Sequence, residues 1–248
     1  MVTAYLDDSG NRNLAVVAGY VGSVAQWERY VPEWSKALRA QQVNVVHRAS
    51  IESFWGEFTE ERGWNPERRT AFVKRLHQII KHRTYTGFGV AVNKADFEAA
   101  VPEAMRRLIG GPYGWCAHEC IAALRIWSDT CRQHSPIEWI FEAGTPGSGQ
   151  IGMMMQALYE DEQQRRDFLI GGWSFRDKSL TPLQSADVIA YEVFKLAQNE
   201  ILDGRQRPVR KSAHDLFRVS DMKLLRYRDK PYLLNWISNW QKKYGPLV

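Results

Sequence analysis

The chain has 248 residues, 44% hydrophobic and 25% charged, and carries a formal net charge of +5. That length can bury a large core without disulfides or metals to staple it. With 10 Trp, 10 Tyr and 10 Phe spread from Tyr5 to Tyr244, no stretch has the aromatic-poor composition that stays disordered.

No apolar run approaches the ~20 residues needed to span a bilayer, and Met1 to Asp7 lacks the basic and apolar regions of a signal peptide. The expectation is a cytoplasmic protein with no membrane partner. Three cysteines, with Cys116 and Cys120 one helical turn apart, suit reduced thiols in a core better than a disulfide framework or a zinc site.

Val2 to Asp7 and Leu14 to Val21 are apolar runs joined by a polar connection containing Gly10, the pattern of a β-hairpin. Residues 26–40 place Trp27, Tyr30, Val31, Trp34 and Leu38 at helical spacing. Val43 to His47 reads as a short edge strand. The irregular stretch from Ala49, with Trp55, Gly63, Trp64 and Pro66, reads as a loop or helical insertion, about 49–82, ending in a helix over 67–82. Thr84 to Val92 is a strand, and Ala95 to Leu108 and Trp115 to Cys131 are helices separated by Gly110-Gly111-Pro112. Ile137 to Glu142 is a strand stopped by a Gly-rich turn, 151–165 a helix, and Phe168 to Phe175 a last strand.

Thr181 to Leu202 is the clearest helix. Thr181 suits the N-cap, Pro182 the first helical position and Gln184 a capping box, and the helix stops at Asp203-Gly204. This order of elements calls for a single α/β domain, 1–248, with a mixed sheet flanked by helices on both faces. Residues 205–248 form a basic, aromatic C-terminal extension.

Leu183, Ala186, Ala190, Val193, Phe194, Ala197 and Ile201 make one apolar stripe on that helix, and Asp187 is the only charge within it. A lone buried carboxylate costs several kcal/mol unless it is paired, protonated or bound to a cation. An ion pair with an Arg is the plain alternative to a metal. Asp7 and Glu142 each end an apolar strand beside a Gly- or Ser-rich turn, where ligands gather in open α/β sheets. If those strands are parallel neighbours, a divalent cation is the simplest way to keep both acids ionised. Asp8 points to the opposite strand face from Asp7, and Asp7 is the favoured first-strand acid.

Tyr5-Leu6-Asp7-Asp8-Ser9-Gly10, Phe141-Glu142-Ala143-Gly144 and Leu183-Gln184-Ser185-Ala186-Asp187 together resemble the ribonuclease H-like family catalogued as domain of unknown function 3800 (DUF3800). That family opens with Tyr-Ile-Asp-Glu-Ser-Gly and closes with a Gln-x-Ala-Asp helix; here Asp8 stands where Glu is usual. The resemblance implies a ribonuclease H-like fold and a two-metal site in which Asp7, Glu142 and Asp187 hold Mg²⁺ or Mn²⁺. It also implies a fourth acid from the helix before the middle strand, for which Glu119, beside His118, is the candidate, with a plain surface residue as the alternative. One metal would activate water and the other stabilise the leaving oxygen of a phosphodiester.

The implied function is a metal-dependent nuclease acting on DNA or RNA. A catalytically silent nucleic-acid- or protein-binding module with the same fold is the alternative. Residues 205–230 hold nine Arg or Lys against Asp215, Asp221 and Asp229, a local excess greater than the charge of the whole chain. Arg205, Arg207, Arg210 and Lys211 are therefore the candidate nucleic-acid contacts, and a solvated surface is the plain alternative. His47 ends an apolar run and reads as either a site residue or, as a lone His more often is, a structural one. Gly144, Gly147 and Gly149 read as either a phosphate cradle or a flexible turn. Tyr227, Tyr232, Trp236 and Trp240 read as either base-stacking residues or a helix packed on the core.

Overall fold

In the computed structural model, β1 (Val2–Gly10) and β2 (Leu14–Ser23) form the expected hairpin, with Val2 opposite Ser23 and Gly10 opposite Ala15. The structure describes residues 1–202, 208–217 and 224–244, the side chains of 201, 202, 243 and 244 excepted. The chain continues through α1 (Val24–Ala40), α2 (Arg48–Ser53), α3 (Pro66–Arg83), β3 (Thr86–Asn93), α4 (Lys94–Ala100), α5 (Glu103–Leu108) and α6 (Gly111–Thr130). Then come β4 (Ile137–Glu142), α7 (Ser148–Glu160), α8 (Glu162–Asp167), β5 (Ile170–Arg176), α9 (Thr181–Leu202), α10 (Lys211–Leu216), β6 (Leu225–Arg228) and α11 (Lys230–Tyr244).

The six strands make one mixed sheet in the order β5-β4-β1-β2-β3-β6. The pairs β1–β2 and β2–β3 are antiparallel, whereas β1–β4, β4–β5 and β3–β6 are parallel. Nearly all of β2 is buried, as a central strand covered on both faces should be. One face carries Leu6, Val17, Phe88, Trp139 and Phe141 against Trp115, Cys116 and Cys120 of α6, with α7 and α11 outside. The other carries Tyr5, Val16 and Tyr20 against Leu183, Ile189 and Val193 of α9, with α1, α3 and α10 outside. Cys116 and Cys120 are free thiols buried on carbonyls of Ala15 and Val17, as the sequence suggested.

α1 begins with a capping box: Gln26 N–H donates to Ser23 Oγ, and Ser23 N–H donates to Gln26 Oε1 at 2.8 Å. Its Trp27 meets Tyr30 edge to face and Tyr30 stacks on Trp34, with ring centroids 5.2 and 5.1 Å apart.

Four local expectations change. Val43 to His47 is not a strand, because carboxylate and amide side chains take its N–H groups: Glu57 accepts from Asn44 and Val45, and Gln184 from Val46. The helix expected over 95–108 breaks at Val101-Pro102, where Val101 is extended. The helix over 151–165 breaks at Asp161, whose carboxylate caps α8 by accepting from Gln164 N–H at 2.9 Å. Gln184 does not close a capping box, since its buried amide is engaged by distant segments.

The C-terminal region is no mere appendage: β6 adds to the sheet beside β3, and Tyr232, Trp236 and Trp240 of α11 pack on the core. The helix stop at Asp203-Gly204 lies outside the described residues, as do Arg205 and Arg207. Among the described residues no helix is long and apolar enough to cross a membrane.

Candidate functional site

The register of β1 on β4 builds the first half of the site. Leu6 lies beside Phe141, so the next residues, Asp7 and Glu142, are neighbours at the carboxyl ends of two parallel strands. Alternation sends Leu6 and Phe141 into the core under α6 and turns Asp7 and Glu142 toward α9. α9 crosses that face and lays Asp187, in its second turn, over the strand ends. The three acids named from sequence therefore converge on one point.

What occupies their midst is a residue that the sequence reading passed over. Lys178 Nζ lies 2.8 Å from Glu142 Oε2, 2.9 Å from Asp187 Oδ1 and 3.4 Å from Asp7 Oδ2. Lys178 sits in the turn between β5 and α9, which is set by Leu180 N–H on the Asp177 carbonyl and Ser179 N–H on Asp177 Oδ1. The available signal was position: Lys178 follows the carboxyl end of β5, the strand next to β4.

Gln184 holds the surrounding segments together. Its Oε1 accepts from Trp34 Nε1 at 2.9 Å and Val46 N–H at 3.1 Å, and its Nε2 donates to the Lys178 carbonyl at 3.2 Å. The motif Gln184-Ser185-Ala186-Asp187 thus works as one clamp and one acid. Val46 leads into His47, whose Nδ1 is 3.3 Å from Lys178 Nζ and 3.7 Å from Asp187 Oδ1, so this half-exposed ring stands at the rim. Asp187 Oδ2 accepts from Arg48 N–H at 2.5 Å, at the start of α2.

The acids do not ionise alike. Burial pushes the Asp7 carboxyl well up, Lys178 opposes this, and the charges of Asp187 and Glu142 raise it further, as does a hydrogen bond to Glu142. Burial also opposes ionisation of Asp187, but His47, the Lys178 ammonium and the Arg48 N–H together hold it below the usual carboxylate range. Lys178 is raised: burial lowers it, and Asp187, Asp7 and Glu142 more than compensate. Burial and its acidic neighbours thus hold Asp7 up, whereas the cationic and hydrogen-bonding partners of Asp187 hold that acid down.

The other candidates lie elsewhere. Asp8 faces the opposite side and accepts from Gly147 N–H at 3.2 Å, which pins the turn after β4 and makes Asp7 the inward acid. That turn, containing Gly147, is therefore held by Asp8. Glu119 does not join the cluster: on α6, across the sheet, it accepts from Tyr232 Oη at 2.8 Å and pairs with Arg228 at 3.2 Å. Tyr232 and Trp236 meet Trp115 edge to face, so α11 packs as a core helix. Arg210 is no free surface cation, because Glu52 and Glu192 hold it at 2.9 and 3.5 Å. Lys211 is exposed.

A second buried charge cluster adjoins the first. The Arg48 guanidinium, 3% exposed, reaches Glu52 at 2.9 Å and Glu192 at 3.0 Å, and Arg210 binds the same two acids. Glu192 has no exposure at all. Its burial escaped the stripe reading because α9 is covered on more than one side.

Among the described residues, no group of three or more His, Cys, Asp or Glu is placed to hold a metal ion as it stands. The cation amid the acids is an ammonium. The donor set is nevertheless that of a hard cation, all carboxylate oxygen. Asp7 Oδ1 is buried without a hydrogen-bond donor, and Glu142 Oε2 is close to Lys178 yet out of line for a hydrogen bond. No protein-family model and no curated protein sequence matches the chain.

Proposed function

We propose that this chain is a ribonuclease H-like, metal-dependent nuclease that hydrolyses phosphodiester bonds of DNA or RNA in the cytoplasm, with Asp7, Glu142 and Asp187 as its metal ligands. The observation that carries this reading is the convergence of three carboxylates, from two parallel strand ends and a crossing helix, on one cation position. The mixed sheet with helices on both faces and the three family-like motifs support the same fold type.

Mg²⁺ or Mn²⁺ bound there would lower the pKa of an attacking water and stabilise the leaving oxygen. The chain's own groups prepare for this. The Asp7 carboxyl, held up by burial, would ionise more readily beside a divalent cation than beside Lys178. Lys178, on a flexible stem, would have to give up the centre to such an ion, and from the rim its ammonium would offset phosphate charge. His47, at the rim, is placed to accept a proton at its ring nitrogen.

Lys178 also favours a second reading, the silent binding module, since a cluster already neutralised by its own lysine needs no metal. A cleavage assay on labelled single-stranded and duplex DNA, RNA and hybrid decides between them. After chelation, Mg²⁺ should restore cutting, Mn²⁺ should do so at lower concentration, and Asp187→Asn should abolish it. Robust cleavage in excess chelator would sink the metal mechanism. No cleavage with any ion, together with a melting temperature indifferent to Mn²⁺, would establish the silent module.

A further inference from the structure

A cleft of about 790 Å³ is lined by residues of α2, α3, α9 and α10, Arg48 among them. Its size falls in the usual range for small-molecule sites, roughly 300–1,000 Å³. Arg48, Arg69, Lys74, Lys195, Arg210 and Lys211 line it, against Glu52 and Asp215. Not all of this charge is available, because Arg48 and Arg210 are taken by Glu52 and Glu192.

What remains is an open cationic wall. Lys74 and Lys211 are exposed and have no carboxylate partner among the described residues. Arg69 donates to the Glu52 carbonyl and covers the Phe54 ring, and Lys195 donates to Gln198. None of these contacts neutralises a charge.

His77 adds an independent sign of a ligand. It is 2% exposed, it lines the cleft, and neither ring nitrogen has a hydrogen-bond partner. Burial, with Arg48 and Lys81 nearby, pushes its pKa down to about 3, so the ring is neutral and offers one donor and one acceptor. Leaving both unmet is costly. Gln198 and Asn199 add amide groups to the lining, able to read the donor and acceptor edge of a base.

We propose that this cleft binds a phosphorylated small molecule of nucleotide size, with its phosphates on Lys74, Lys211 and Arg69 and its polar ring atoms toward His77, Gln198 and Asn199. The site goes beyond the nuclease reading: Asp7, Glu142 and Asp187 do not line it, and it needs no metal. A free nucleotide suits the cleft better than a strand, because the buried imidazole requires a ligand that enters rather than one that runs past.

The test is titration calorimetry on the full chain in excess chelator, with inorganic phosphate, AMP, ATP and a short single-stranded oligonucleotide. AMP or ATP should bind. The double variant Lys74→Glu, Lys211→Glu should weaken that binding about tenfold or more with an unchanged melting temperature, since both side chains are exposed. His77→Leu should also lose binding while holding or raising the melting temperature, because apolar replacement removes two unmet polar atoms. Absence of heat with every probe would overturn the proposal. So would nucleotide binding indifferent to the double variant, or binding of the oligonucleotide alone. Because metal is excluded, a failed cleavage assay leaves this result untouched, and the reverse holds as well.

Discussion

Two buried charge clusters share helix α9 and meet at α2, yet they are built on opposite principles. Around Lys178, three carboxylates and a half-exposed imidazole surround one ammonium. Around Glu192, two carboxylates meet two guanidiniums, each Arg touching both acids. Arg48 joins them, its N–H on Asp187 and its side chain on Glu192. Balance marks the second as a structural tie between α2, α9 and the segment entering α10. The acid excess of the first holds the Asp7 carboxyl up and leaves its Oδ1 unmet, a state that a divalent cation would relieve.

The sharpest way to break this comparison is to unbalance the balanced cluster. Glu192→Ala strands two partly or wholly buried guanidiniums and should cost about 3–5 kcal/mol, read by denaturant unfolding. A loss below 1 kcal/mol would show that the Arg side chains reach water without resistance, and the two clusters would no longer differ in kind.

The next largest effect should come from Lys178→Met. In chelator, removing the ammonium leaves the acids facing one another and should destabilise the fold by about 1–3 kcal/mol. Mn²⁺ should then raise the melting temperature more than it does in the parent, because the stand-in cation is gone. Equal Mn²⁺ shifts in both proteins would mean that the lysine does not compete for the metal position.

The smallest and most diagnostic effects separate Asp7 from Asp187. Asp7 is raised in the folded state, so its stabilising contribution is full below its unfolded pKa near 3.8 and is lost as pH rises through the folded value. Asp7→Asn in chelator should therefore gain about 1 kcal/mol at neutral pH, with the gain vanishing in acid. Asp187 is depressed, so its contribution is present above about 3.8 and is lost as pH falls through the folded value. Asp187→Asn should lose about 1 kcal/mol at neutral pH, with the deficit shrinking in acid. Thermal melts from pH 3 to 8 check both signs. Parallel pH profiles for the two variants would contradict the opposite shifts of the two acids.

Much of this architecture is written in periodicity. The apolar runs Val2 to Asp7 and Leu14 to Val21, broken by a polar connection with Gly10, specify a hairpin, and the stripe from Leu183 to Ala197 specifies a helix that buries at least that face. The apolar stripe around Asp187 and the strand-end positions of Asp7 and Glu142 likewise made three acids stand out. Tertiary structure decided what meets them. Lys178 lies in a polar turn with no pattern of its own, and only the packing of α9 on β1 and β4 brings its ammonium among the carboxylates. Glu119 was a candidate only through the family resemblance, and α6, which covers the opposite face of the sheet, commits it to Tyr232 and Arg228. Val43 to His47 has strand composition, but side chains of Glu57 and Gln184 capture its N–H groups before a neighbouring strand can. Local pattern fixes which face of an element is buried; the partners of a buried charge are fixed by chain segments far away, and no window of sequence contains both.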